Sequence, residues 1–241
     1  MPKIVQAILL TTVSMTIPLL GGETTLCPPG CGPGHWSTAA IDLSPAKMKA
    51  PYESRDITVD SPDRQKSLRV VKDHWWVEIA ELKIFPPAEA AEILYPAEAA
   101  WAPDSRSLFI TQSAGYSTGY RVDVYRISDS KLVQIHLSSI VARAFDRRHR
   151  CSDGQVSNDP NTAGFKWLDD SDRLLVVAEA PPVGVCKDAN YFGGYEVSLT
   201  SRKILQSFSP QQLHDQWDGE LGERLRDDLT LLSGDAKTKE P

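Results

Sequence analysis

The chain has 241 residues, the length of one ordinary domain with appendages or at most two small ones. Hydrophobic residues make up 41% and charged residues 24%, a balance that supports a packed core and argues against wholesale disorder. With 26 basic and 32 acidic residues the net charge is −6, and the basic residues form no block. That argues against nucleic-acid binding by phosphate neutralisation.

The N-terminus reads as an address. Lys3 precedes an uncharged run from Ile4 to Leu20, which Pro18, Gly21 and Gly22 close before Glu23. A short positive end, an apolar stretch and small residues at the exit describe a secretory signal peptide over residues 1–22. An uncleaved anchor is the rival reading and needs a slightly longer span. Beyond this segment no apolar run reaches the roughly 20 residues of a membrane helix, so no other membrane association is expected. The predicted location is therefore periplasmic or extracellular.

The four cysteines, Cys27, Cys31, Cys151 and Cys186, all follow the signal segment. An even number in an oxidising compartment predicts two disulfides, with three possible connectivities. The most economical pairs Cys27 with Cys31 and Cys151 with Cys186. The second pair closes a loop of about 35 residues and contributes about 3–4 kcal/mol if unstrained. Zinc is disfavoured, because the spacings lack the paired short intervals of a zinc site.

Residues 23–55 are rich in Pro, Gly, Ser and Thr and read as a linker or irregular arm. From 56 to 208 the pattern is mainly β. Over Lys66–Ala80, Trp75, Val77 and Ile79 share one face, with His74, Trp76 and Glu78 on the other. Leu108–Thr111 and Tyr120–Ile127 form a predicted strand pair. Arg173–Ala178 carries a continuous apolar run suited to a strand covered on both sides. Tyr195–Leu199 and Lys203–Phe208 follow around a Thr-Ser-Arg turn.

Two segments read as helices. Ser138–His149 places Ile140, Val141, Ala144 and Phe145 at helical spacing, with cations towards its C-terminal end. Ser209-Pro210-Gln211-Gln212 is a start signal for a C-terminal amphipathic helix over 209–232, with Leu213, Trp217, Leu221 and Leu225 as its stripe. Gly219 and Gly222 weaken it, and residues 233–241 read as a disordered tail.

Three segments share a turn followed by an apolar strand: Asp60-Ser-Pro-Asp-Arg-Gln-Lys-Ser-Leu68, Trp101-Ala-Pro-Asp-Ser-Arg-Ser-Leu108 and Trp167-Leu-Asp-Asp-Ser-Asp-Arg-Leu174. Proline presets φ for a tight turn, and the Asp side chain can bond the backbone further along. Asp63 and Asp104 stand 41 positions apart, which suits a four-stranded unit, and Asp104 and Asp170 stand 66 apart. The longer interval implies an insertion holding the 138–150 helix and the Asn158–Gly164 loop. On these residues the chain resembles the WD40-like Pro-Asp repeats of TolB-type and prolyl-oligopeptidase-type β-propellers, over about residues 56–208. The resemblance implies three propeller-like blades. Three do not close a ring, so the expected fold is mainly β: an open blade stack, an incomplete β-propeller, with one inserted helix and a C-terminal helix. A capped monomer is favoured over a ring completed by a homodimer.

Candidate chemistry is sparse. Gly115-Tyr116-Ser117-Thr118-Gly119 matches the spacing of a nucleophile elbow, but a strand rather than a helix follows it, so Ser117 is a weak nucleophile candidate. Asp169-Asp170-Ser171-Asp172 lacks the glycine and distal glutamate of a calcium loop and coincides with a repeat turn. Asn158-Asp159-Pro160-Asn161 reads as a turn cluster. No metal or cofactor is expected. Trp76 shares a strand face with His74 and Glu78 and is a candidate stacking platform. Tyr116 and Tyr120 decorate a glycine-containing loop and are further binding candidates. The expectation is a non-catalytic interaction module binding a protein, peptide or glycan. A serine hydrolase using Ser117 is the alternative, and a ligand-free remnant of a larger propeller a further one.

Overall fold

A computed structural model describes residues 32–44, 56–113, 119–149, 160–168, 171–180 and 191–226. The fold is mainly β, with three antiparallel sheets, none of them closed. The first sheet is a meander of β2 (Ile57–Asp60), β3 (Lys66–Val71), β4 (His74–Ile79) and β5 (Leu82–Ile84). The middle sheet runs β6 (Ala97–Trp101), β7 (Ser107–Ser113), β8 (Tyr120–Ser128) and β9 (Lys131–Ile135), with β1 (Ile41–Asp42) added beside β6. The third is a meander of β10 (Asn161–Trp167), β11 (Arg173–Glu179), β12 (Phe192–Ser198) and β13 (Lys203–Phe208). Helix α1 (Ser138–Arg148) lies between the middle and third sheets in sequence, and α2 (Pro210–Trp217) follows the third.

One local structure recurs in all three sheets. Residues 61–66 and 102–107 each form a turn closed by a backbone bond, Ser61 N to Lys66 O and Ala102 N to Ser107 O, and an equivalent bond runs from Leu168 N to Arg173 O. The residue after each turn aspartate, Arg64, Ser105 or Ser171, holds a positive φ of 55–60°. Asp63 and Asp104 accept from the backbone N–H of Gln65 and Arg106, the local bond that makes Asp a turn residue.

The turns also join the sheets. Asp63 N donates to Ser105 Oγ, and Asp104 N donates to Ser171 Oγ, both at 3.0 Å. Trp101 Nε1 donates to Val59 O of the first sheet at 2.9 Å, and Trp167 Nε1 to Ala100 O of the middle sheet at 3.1 Å. Each sheet is thus bonded to its successor by one tryptophan and one serine at equivalent positions. Around these bonds lie two cores. Leu68, Val70, Trp75 and Val77 meet Ala99, Leu108, Ile110 and Tyr125 between the first and middle sheets. Phe109, Val122 and Val124 meet Leu174, Val176 and Val197 between the middle and third, joined there by Val141 and Phe145 of α1.

The far face of the third sheet is covered by the segment around Trp36 and by the segment that follows β13. Phe165, Leu175, Val177 and Phe192 pack against Leu213, Leu221 and Leu225 from one side of the sequence and Trp36 from the other. Ser37 bridges Leu221, Thr38 N donates to Glu220 O, and Gly222 N donates to Trp36 O. Residues 32–44, expected to be an irregular arm, therefore pack into the core, with Trp36, Ala40, Ile41 and Leu43 buried.

Other differences from expectation are local. Lys66–Ala80 is two strands, because Lys72 and Asp73 turn the chain between β3 and β4. Asn161–Gly164, expected in a loop, open β10 and are buried. The expected C-terminal helix is interrupted after Trp217: Asp218–Glu220 form a 3-10 turn, Leu221 is extended, and helical backbone returns at 223–226. A Cβ on Gly222 would lie 2.3 Å from His35 O, so this glycine admits the close approach of the arm that a continuous helix would forbid.

Candidate functional site

The first sheet differs from the other two on one face. Counting from the turn aspartate, Leu108 and Ile110 in β7, and Leu174 and Val176 in β11, face the preceding sheet. The corresponding residues of β3 are Ser67 and Arg69. Asp60 stands where the other sheets carry the bonding tryptophan, and Arg64 where they carry the serine. The residues that receive a preceding sheet are thus replaced by polar ones, and this face is left to other contacts.

Strand register orders the face. Thr58 pairs with Arg69 and Arg69 with Trp76, while Ser67 pairs with Glu78 and Glu78 with Lys83. The Trp76 and Phe85 rings lie 6.0 Å apart at 43°, and Lys83 Nζ sits 4.6 Å from the Trp76 ring centre. Trp76 is half-buried, whereas Phe85 is 61% exposed, the largest exposure among the large apolar residues described. Arg69 Nε and Trp76 Nε1 are enclosed and have no hydrogen-bond partner among the described residues. The other candidate surface is a cleft of about 600 Å³ between the arm and the C-terminal segment, lined by Pro33, Gly34, His35, Thr38, Glu223 and Arg226. His35 Nε2 lies 3.6 Å from Asp42 Oδ1, and hydrogen bonding to Asp42 raises the His35 pKa.

The remaining polar clusters hold the fold. Glu98, wholly buried in β6, accepts from the backbone N–H of Trp36 at 3.0 Å and of Ser37 at 3.4 Å, and its Oε1 has no partner among the described residues. Burial pushes its pKa up to about 8 despite those two donors. Tyr120 OH donates to Glu179 Oε2 at 2.5 Å, and the same oxygen lies 3.4 Å from Asn161 Nδ2 and from Arg224 Nη2. This network ties the starts of β8 and β10 to β11 and the C-terminal segment. Asp172 accepts from Ser198 and Thr200, and these bonds outweigh burial to lower its pKa.

Of the predicted binding residues, Trp76 lies on the first sheet's outer face, with Lys83 over its ring rather than open to a ligand. Tyr120 opens β8, where the predicted strand Tyr120–Ile127 begins; it is 4% exposed and packs on Trp36 at 4.8 Å. Tyr116, Ser117, the four cysteines, Asp169, Asp170 and residues 1–22 lie outside the described residues. Among the described residues no cluster of His, Cys, Asp or Glu could hold a metal, and no helix is long and apolar enough to cross a membrane. Sequence reasoning missed Arg69, Lys83 and Phe85. The available signal was the polar substitution at Ser67 and Arg69 when the three turns are aligned. No family model and no curated protein matches the chain.

Proposed function

We propose that this chain is an exported, non-catalytic interaction module: an open stack of three propeller-like blades whose partner docks on the outer face of the first sheet. The single observation that carries this reading is the change of residue type on that face. At positions where the other sheets have leucine, isoleucine, valine and tryptophan for a neighbouring sheet, it has Ser67, Arg69 and Asp60, next to the exposed Phe85. The repeated turn and its sheet-to-sheet bonds support the blade reading, as does the closure of the opposite end of the stack by Trp36 and α2. An aromatic and cationic row on a rigid sheet suits docking, since few side chains must be ordered on binding.

Export is part of the proposal and rests on residues 1–22 and the cysteine count. The test is site-specific photo-crosslinking in an exporting host, with the crosslinker at position 85 and, as a control, at Leu205, an exposed apolar residue on the third sheet. The expected result is one discrete hetero-complex from position 85, absent from position 205 and lost when Lys83→Glu is added. Absence of crosslinks at 85, or crosslinks equal to those at 205, would overturn the docking site. A product of twice the chain's mass would assign the face to self-association instead.

A further inference from the structure

We infer that the occupant of this face is an acidic polypeptide segment, a conclusion that rests on the docking site proposed above. Charge carries the inference. Arg69 and Lys83 form no ion pair among the described residues, although the chain as a whole is acidic. Glu78 stands across from Lys83, and Asp60 lies at the end of β2, so the acidic groups border the row containing Arg69, Trp76 and Phe85 on one side. Arg69 is on β3 and Lys83 on β5, two strand spacings across and two residues along, about 12 Å apart. Carboxylates four residues apart lie on one face of an extended chain and span that distance, at about 3.3 Å per residue.

The aromatic geometry favours a polypeptide over a sugar. A pyranose ring stacks on a free, flat aromatic face, but the Trp76 face carries the Lys83 ammonium, and Phe85 is tilted 43° away from it. Side chains that alternate along an extended peptide can place an apolar group on Phe85 and carboxylates on Arg69 and Lys83. Lys83 leaves Trp76 at small cost, since a cation–π contact at an exposed position is weak.

The test uses the purified full chain and four probes: poly-L-glutamate, poly-L-lysine, alginate as a uronate glycan, and neutral dextran. Poly-L-glutamate is expected to bind best, to weaken with added salt, and to protect Phe85 from hydroxyl-radical labelling. Lys83→Glu, at an exposed position, is expected to weaken it roughly tenfold, and Arg69→Glu/Lys83→Glu further. Arg143→Glu/Arg147→Glu, an equal charge change on exposed α1, is expected to leave binding unchanged, and circular dichroism confirms that each variant folds. Undiminished binding by Lys83→Glu, or an equal loss in the α1 variant, would overturn the inference. Tighter binding of alginate, with Phe85 protected, would overturn the polypeptide assignment and leave the docking site standing. Failure of every probe would overturn the acidic partner, and the crosslinking at position 85 decides separately whether the face is used.

Discussion

Replacing Glu98 with glutamine tests the account of the arm most directly. The carboxyl group is wholly buried, accepts from Trp36 N and Ser37 N, and has its pKa pushed up to about 8 from 4.5. A group that binds its proton more tightly when folded contributes fully at pH below its unfolded value, and that contribution is lost as pH rises through the folded value. The wild-type chain should therefore lose stability between about pH 4.5 and 8, by at most about 1.4 kcal/mol per pH unit, or about 3–5 kcal/mol in all. Glutamine keeps an acceptor for the two N–H groups and cannot ionise. The assay is urea unfolding followed by tryptophan fluorescence at pH 5, 7 and 8.5, on wild type and Glu98→Gln. Near pH 5 the two should agree within about 1 kcal/mol, and by pH 8.5 the variant should be the more stable by most of the calculated amount. His35 works in the same sense, since its raised pKa makes its contribution fade as pH rises, but it is common to both proteins and cancels from their difference. Parallel stability profiles for the two proteins would refute the reasoning.

Two further substitutions probe packing and capping. A Cβ at position 164 would lie 2.6 Å from the Phe109 ring, so Gly164→Ala should cost about 1–3 kcal/mol in urea unfolding, with part of it recovered by adding Phe109→Leu. Ser209 accepts from Gln212 N while the Gln212 side chain accepts from Ser209 N, completing a capping box at the start of α2. Ser209→Ala should lower the unfolding free energy by about 1 kcal/mol, and an unchanged unfolding midpoint would mean that α2 adds little to the cover of the third sheet.

What could be read from the sequence was what short-range chemistry decides. The Pro-Asp turns, the alternation around Trp75 and the Ser209 start signal all depend on neighbours within a few residues, and each lies where that chemistry places it. What could not be read depends on distant partners. Trp36 and Ser37 sit in a Pro- and Gly-rich stretch with no periodicity, and their partner Glu98 is 62 and 61 positions away. Ala97–Trp101 consists largely of good helix formers, yet it is a strand because β7 and β1 flank it. Tyr120 stands beside glycines at the start of a predicted strand, and nothing nearby in sequence points to the partner of its hydroxyl, Glu179, 59 positions on. The outer face of the first sheet was legible only by comparing the three turns position by position, since Arg69 and Lys83 taken singly are ordinary surface residues.

The interlocked segments over the third sheet, one around Trp36 and the other around Leu221, bear on the order of folding. The arm around Trp36 leaves the ribosome early, but the surface it covers exists only after β10–β13 have formed, and its bridge partner Leu221 comes later still. Contacts of such long sequence separation form late and slowly, because loop closure precedes their reward. Until then the apolar face of Phe165, Leu175, Val177 and Phe192 is uncovered, so a nascent chain lacking its last residues presents a sticky sheet. The cover of the third sheet is therefore completed only once the segment around Leu213, Leu221 and Leu225 has been synthesised.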